Sequence, residues 1–388
     1  MSYEKKSQQE LVQPSNIQKY NYIDVLRGLA ILLVIATHSA QALKELPNFW
    51  IYLFNYGQLG VQLFFITSAL TLCLSMKKRK EKTPLNFYIR RFFRIAPAYY
   101  CGILLHFFWR IAKEYYKNQT LQIPEGYSII GVIENIFFLH GFDPRNFNSI
   151  VLGGWSIATE MTFYAIFPFL YVTQNKFGME KFMNFTIVII VLSLGIEVYL
   201  LNYNIFNDKF GFIYCSILNQ ISVFLIGMIT FQNLGKVQIN IFKILIFIFL
   251  NVLSCYLLNT KTFFTGINGF IYPILSAIAF LILALWLSNP KYKFDSIISR
   301  ILIQIGRVSF SMYLLHFLFL DFTNFSYKKF LFQNQTSSVP QLLLIYFSVI
   351  AITFVFSKLT YNLIEKPCIN IGNIFISKLN QKSSSTLI

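Results

Sequence analysis

A chain of 388 residues that is 55% hydrophobic and only 13% charged is not an ordinary soluble protein, in which about 25% of residues carry charge. Its net charge of +17 raises nucleic acid as a partner, but the distribution excludes it. Lys77, Lys78, Arg79, Lys80, Lys82, Arg90, Arg91 and Arg94 all fall between two apolar runs, as expected of a loop beside a membrane.

About 20 apolar residues cross a bilayer, and ten such runs can be read: 22–42, 54–76, 95–115, 153–173, 182–202, 211–232, 239–259, 267–289, 301–322 and 341–364. The expected fold is therefore all-α, a polytopic transmembrane bundle of about ten spans. Residues 1–20 read as a disordered cytoplasmic tail. They are polar, so the first apolar run is expected to serve as the insertion signal.

That first run carries Arg27 and His38, eleven positions apart. In a helix, eleven steps of about 100° return to nearly the same face, about 16 Å further along the axis. Ionisable groups within a span are costly and usually face the bundle interior or a water-filled cavity. Arg27 has an alternative, because its long side chain can snorkel to the interface. For His38 the alternative is a hydrogen-bonded structural histidine.

The second run opens GVQLFFITSAL, whose small residues suit close helix packing, with Gln62 and Ser68 as polar lining. RRFFRIAPAYY leads into the third. Arg90, Arg91 and Arg94 lie within one helical turn, and Arg90 and Arg94 are expected to share a face. Guanidinium forks suit the phosphates of a nucleotide or coenzyme A; anionic lipid headgroups are the other reading. Between runs, 116–152 holds IIGVIENIFFLHGF, too short to span and read as an interfacial or re-entrant helix.

The fourth run contains GGWSIATEMTFYAIFP, with Glu160 one turn after Ser156 and one before Tyr164. The ninth contains GRVSFSMYLLHF, where Ser309, Tyr313 and His316 form an i, i+4, i+7 stripe. The positive-inside rule puts the Lys77–Arg94 loop and, with ten spans, both termini in the cytoplasm. His38, Glu160 and His316 then fall in the outer part of the membrane, and Arg27 and Arg307 in the inner part. A structural polar network is the alternative for these groups. The five cysteines lack a CxxC pair and sit in or beside apolar runs, so they read as packing thiols and not as a disulfide frame or metal site. No internal repeat of the transporter kind is visible. Residues 369–388 read as a second cytoplasmic tail.

Together these pieces resemble the acyltransferase 3 family of integral-membrane O-acyltransferases. Arg27 with His38, GVQLFF, RRFFRIAP, WSIATEMTFY, GRVSFSMYLLHF and the final IEKP occur in family order from about 20 to 368. The resemblance makes 21–368 a transmembrane acyltransferase domain, with acyl-CoA, acetyl-CoA above all, as cytoplasmic donor and no metal. It implies a bacterial inner (cytoplasmic) membrane and a hydroxyl acceptor on a cell-envelope glycan or glycolipid, or an antibiotic. It also puts the family's leading catalytic candidates on Arg27 and His38. One departure is Ser68-Ala69-Leu70, where many members have SGF or SGY. Another is that no appended esterase-like domain is read, so one membrane unit serves donor and acceptor or passes the acyl group to a partner.

The expected chemistry is general-base catalysis. His38 removes the acceptor's hydroxyl proton, Glu160 or Tyr313 orients a histidine or the acceptor, and His316 is the second candidate base. Arg90, Arg91 and Arg94, with the internal Arg27 and Arg307, neutralise phosphate or oxyanion charge. The rival reading is a secondary transporter or a flippase of a sugar-linked lipid, using the same buried charges as a pathway.

Overall fold

The computed structural model describes residues 20–43, 46–79, 83–124, 126–203, 211–238, 240–259, 268–331 and 338–385. Lys80, Lys82 and the amino-terminal tail to residue 19 lie outside the described residues. Among those described, every regular element is a helix. In chain order α1 is Asn21–Gln41, α2 Asn48–Asn55, α3 Gly60–Arg79, α4 Pro84–Asn118, α5 Ile129–Ile136, α6 Gly154–Asn202 and α7 Phe212–Cys215. There follow α8 Ile217–Asn233, α9 Ile241–Leu258, α10 Asn268–Leu287, α11 Ile297–Arg307, α12 Ser309–Phe330, α13 Val339–Thr360 and α14 Lys366–Ser385.

Seven described helical stretches are long and apolar enough to cross a membrane, or eight if the bent pair α11–α12 is one crossing. The departures from ten apolar runs have physical causes. The runs 153–173 and 182–202 form the 49-residue α6, interrupted by the non-helical backbone of Gly178 (φ 80°, ψ 177°). An unbroken helix of that length would extend about 73 Å, more than twice the hydrocarbon thickness of about 30 Å. The run 301–322 is divided at Val308, where α11 and α12 meet at 81°. The third run begins earlier than its apolar stretch, because Pro84 starts α4 at a position that needs no amide hydrogen. The arginine cluster is therefore helical, not loop, and α4 is not among the seven. Past Pro367, where a tail was expected, α14 continues and Gly372 packs on the Phe93 side chain of α4.

The centre of the bundle is α1, whose Leu26, Ala30 and Ile31 are fully buried. Glycines let other backbones touch it. A Cβ on Gly306 of α11 would lie 1.8 Å from the Asp24 carbonyl oxygen, and one on Gly28 would lie 2.3 Å from that of Leu302. These reciprocal contacts lay α11 across α1. On α3, Ala69 faces Gly227 of α8, so small packs on small. At the other extreme α9 turns Phe242, Leu245, Phe249 and Val252 outward, the apolar surface expected of a helix that crosses a membrane.

Candidate active site

Helices α1, α3, α4, α6 and α12 line a cavity that is open to solvent. Its wall includes Arg27, Ser68, Arg94, Ser156, Glu160, Tyr164, Ser309 and Tyr313, with Phe64, Phe65 and Ile157 between them.

One end is cationic. Arg27 donates from Nη2 to Thr71 Oγ1 at 3.0 Å, and Thr71 in turn donates to the Thr67 carbonyl. Arg94 shares this wall. Arg91 stands just behind it, 8% exposed, with its guanidinium 5.7 Å from the Phe87 ring centre and 5.8 Å from that of Tyr164. Its Nε is buried with no hydrogen-bond partner among the described residues.

The middle holds the carboxylate. Ser68 Oγ and Tyr164 Oη both donate to Glu160 Oε1, the latter at 2.5 Å, and the two hydroxyl oxygens are 3.1 Å apart. Glu160 and Tyr164 are neighbours because they are one turn apart on α6; Ser68 comes from α3. Glu160 interacts electrostatically with Arg27 and Arg91.

Further along, Ser156 Oγ donates to Tyr313 Oη at 2.7 Å, and Tyr313 Oη donates to the Gly153 carbonyl at 3.0 Å. Gly153 has φ 79°, and a Cβ there would lie 3.0 Å from the tyrosine oxygen. Glycine is needed on both counts.

Beyond Tyr313 stand the two histidines. His316 Nδ1 donates to the Tyr313 carbonyl at 2.6 Å, and His38 Nδ1 donates to Gln41 Oε1 at 2.8 Å. A carbonyl acceptor at Nδ1 keeps the proton there and leaves Nε2 as the basic nitrogen. The His316 Nε2 is buried and has no partner. The two rings are 5.4 Å apart, and each lies 4.3 Å from Phe317. His316 is also 5.4 Å from the Tyr313 ring.

Arg27, Arg94, Glu160 and Tyr313 thus share one wall, with Arg91 behind it and His38 and His316 paired at the far end. Among the described contacts Glu160 bonds Ser68 and Tyr164 and neither histidine. Of the α4 arginines, Arg94 lines the cavity, Arg91 packs behind it on Phe87 and Tyr164, and Arg90 is half-buried and not part of the lining. Arg307 is also outside it, 54% exposed and 3.5 Å from Asp24. Neither histidine bonds a carboxylate among the described contacts, so Tyr313 orients His316 through its backbone and not its ring hydroxyl. Two participants carried no signal beyond their position in a matching motif or run. Thr71 anchors Arg27, and Glu365 of IEKP is buried by a π-helical turn, Tyr361–Glu365. Glu365 accepts from Ser311 and interacts with Arg94 and Arg27. The five cysteines are free thiols.

Residues 20–358 match the acyltransferase 3 family model, described as an acyltransferase domain. "Putative O-acetyltransferase SAR0937" of Staphylococcus aureus strain MRSA252 is 28% identical over 388 residues, covering 93% of this chain and 59% of that protein. "Acyltransferase MdmB" of Streptomyces mycarofaciens is 23% identical over 176 residues, 43% of either chain. "Peptidoglycan O-acetyltransferase OatA" of Listeria monocytogenes is 31% identical over 157 residues, 38% of this chain and 23% of that one. The chain therefore spans about 59% of the length of the staphylococcal relative. No solved structure matches it.

Proposed function

Because the chain belongs to the acyltransferase 3 family, we propose that it moves an acyl group, acetyl in the first instance, from acyl-coenzyme A to a hydroxyl of a cell-envelope glycan or glycolipid. The observation that carries this reading is the order of groups along one cavity: cations, then a hydrogen-bonded carboxylate, then a tyrosine backed by two histidines.

The cationic end suits the donor. Arg94 and Arg27, which line the cavity, offer planar forks to the phosphates of coenzyme A, with the Arg91 guanidinium adding positive charge behind them. The same guanidiniums would stabilise the oxyanion formed as the thioester carbonyl is attacked. The apolar wall of Phe64, Phe65 and Ile157 suits the pantetheine arm.

The histidine end suits the acceptor. A sugar hydroxyl is a poor nucleophile while it keeps its proton, and a positioned base supplies typically about 10²- to 10⁴-fold. His38 and His316 both present Nε2 for that purpose. His38, only half-buried, is the member of the pair that an acceptor meets first. Glycan acceptors fit the printed name of the Listeria relative. In this reading the arginine end faces the cytoplasm of a bacterial inner membrane, as the Lys77–Arg94 charge requires, and about ten crossings put both termini there. A transporter would use the same polar line, but an acyltransferase family gives the cations and the bases separate tasks.

The test is to incubate the purified protein with radiolabelled acetyl-CoA and soluble peptidoglycan fragments. Release of coenzyme A with label on the fragments is expected. A protein that neither binds nor consumes acetyl-CoA would contradict the proposal.

A further inference from the structure

Resting on the acyl-coenzyme A reading, we propose that Ser68 is a catalytic nucleophile that carries the acyl group as a covalent ester between donor and acceptor. Ser68, Glu160 and Tyr164 form the arrangement that activates a hydroxyl: a nucleophile donating to a base, and a third group holding the base in place. Ser68 Oγ donates to Glu160 Oε1, Tyr164 Oη donates to the same oxygen at 2.5 Å, and nothing else on α3 reaches the carboxylate among the described contacts.

Three further observations point the same way. Ser68 is only 6% exposed yet lines the cavity, a position that admits a bound thioester while shielding an ester from water. Arg27 and Arg94 share its wall, so the cations needed for a tetrahedral oxyanion are beside the nucleophile. Ser68 is also one turn of α3 from Thr71, the partner of Arg27, whereas His38 is about 16 Å from Arg27 along α1. The cation-bound donor and the histidine-bound acceptor are therefore separated, and an intermediate stop divides the transfer into two shorter steps.

In the first step Ser68 Oγ attacks the thioester carbonyl, its proton passes to Glu160, and the C–S bond breaks. Coenzyme A leaves as the thiolate and takes a proton from solution on the donor side. In the second step the acceptor oxygen attacks the Ser68 ester carbonyl and its proton passes to the His38–His316 pair beyond Tyr313. The bond from the carbonyl carbon to Ser68 Oγ breaks, Ser68 recovers its proton from Glu160, and the histidine pair releases its own to the acceptor side. Atoms and charges balance, and the enzyme returns to its starting state.

The experiment is acid quenching of the purified full chain after incubation with radiolabelled acetyl-CoA and no acceptor, followed by intact-mass and peptide analysis. One acetyl group on the peptide holding Ser68 is expected. Ser68→Ala should lose the label yet bind coenzyme A within about threefold of the parent. Ser68→Cys should regain it as a thioester that neutral hydroxylamine cleaves, and this variant keeps the test valid if Ser68→Ala does not fold. Glu160→Gln should slow labelling at least about 100-fold, the scale of a lost general base. If the parent consumes acetyl-CoA but the label is absent, or persists in Ser68→Ala, Ser68 only satisfies the Glu160 carboxylate. The relay then falls while the acyltransferase reading stands. If acetyl-CoA is neither bound nor consumed, both fall together.

Discussion

Arg91 and Arg94 are three residues apart on α4 and approach the same carboxylate-bearing cavity from behind and beside it. A charge-assisted bond to phosphate is worth about 1.5–3 kcal/mol, and each 1.4 kcal/mol is a tenfold change in affinity. Arg94→Ala should therefore weaken coenzyme A binding by about 10- to 100-fold in a calorimetric titration. Arg90→Ala, outside the wall, should change it less than about threefold. At the other end His38→Gln keeps a polar side chain of similar reach but cannot accept a proton and hold it. It should bind acetyl-CoA normally and transfer about 10²- to 10⁴-fold more slowly. Near-parental turnover would make His38 structural and leave His316 as the base. Arg27, Glu160 and Tyr313 were legible in the sequence because ionisable and polar groups are so costly in a span that they rarely lack a purpose. Tyr164 was legible too, by its i+4 spacing from Glu160, but the pairings between helices were not. Ser68 and Glu160 are 92 residues apart, and nothing in either segment states how α3 and α6 are rotated to face each other.

Apolar run length carried most of the element-level information. It located α1, α3, α8, α9, α10 and α13 closely, because about 20 consecutive apolar residues have few other uses. It failed where apolarity continues through a change of direction. Residues 301–322 are apolar on both sides of Val308, yet the helix axis turns by 81° there. The one local sign is Gly306, whose missing side chain admits the Asp24 carbonyl of α1. Gly306→Ala places a methyl group where that oxygen lies, so α11 must move off α1. Overpacking of this kind costs about 1–3 kcal/mol, and a clearly lowered melting temperature in detergent is expected. Gly195 on α6 has nothing within 4 Å of its would-be Cβ. Gly195→Ala should melt no lower than the parent, since alanine is favoured over glycine in a helix by about 1 kcal/mol. Equal melting of the two variants would mean that the α1–α11 contact is not tight.

At the scale of the whole molecule the charge asymmetry and the site polarity point along the same axis. The basic end of α3, with Lys77, Lys78 and Arg79 in its last turn, lies on the side where Arg90, Arg91 and Arg94 enter α4. A cysteine at Lys78, in a version lacking the five native thiols, should resist an impermeant thiol reagent in intact cells and react after lysis. Labelling in intact cells would reverse the assigned orientation and the assignment of donor and acceptor sides with it. The central claim is that the acyl group enters at the arginine end and leaves at the histidine end. It is tested most directly with protein reconstituted in one orientation in sealed vesicles, with soluble peptidoglycan fragments trapped inside and radiolabelled acetyl-CoA outside. With the Lys77–Arg94 end outward, label should accumulate on the trapped fragments and should be lost in Arg94→Ala. Label confined to fragments that share the donor's compartment would contradict transfer through the bundle.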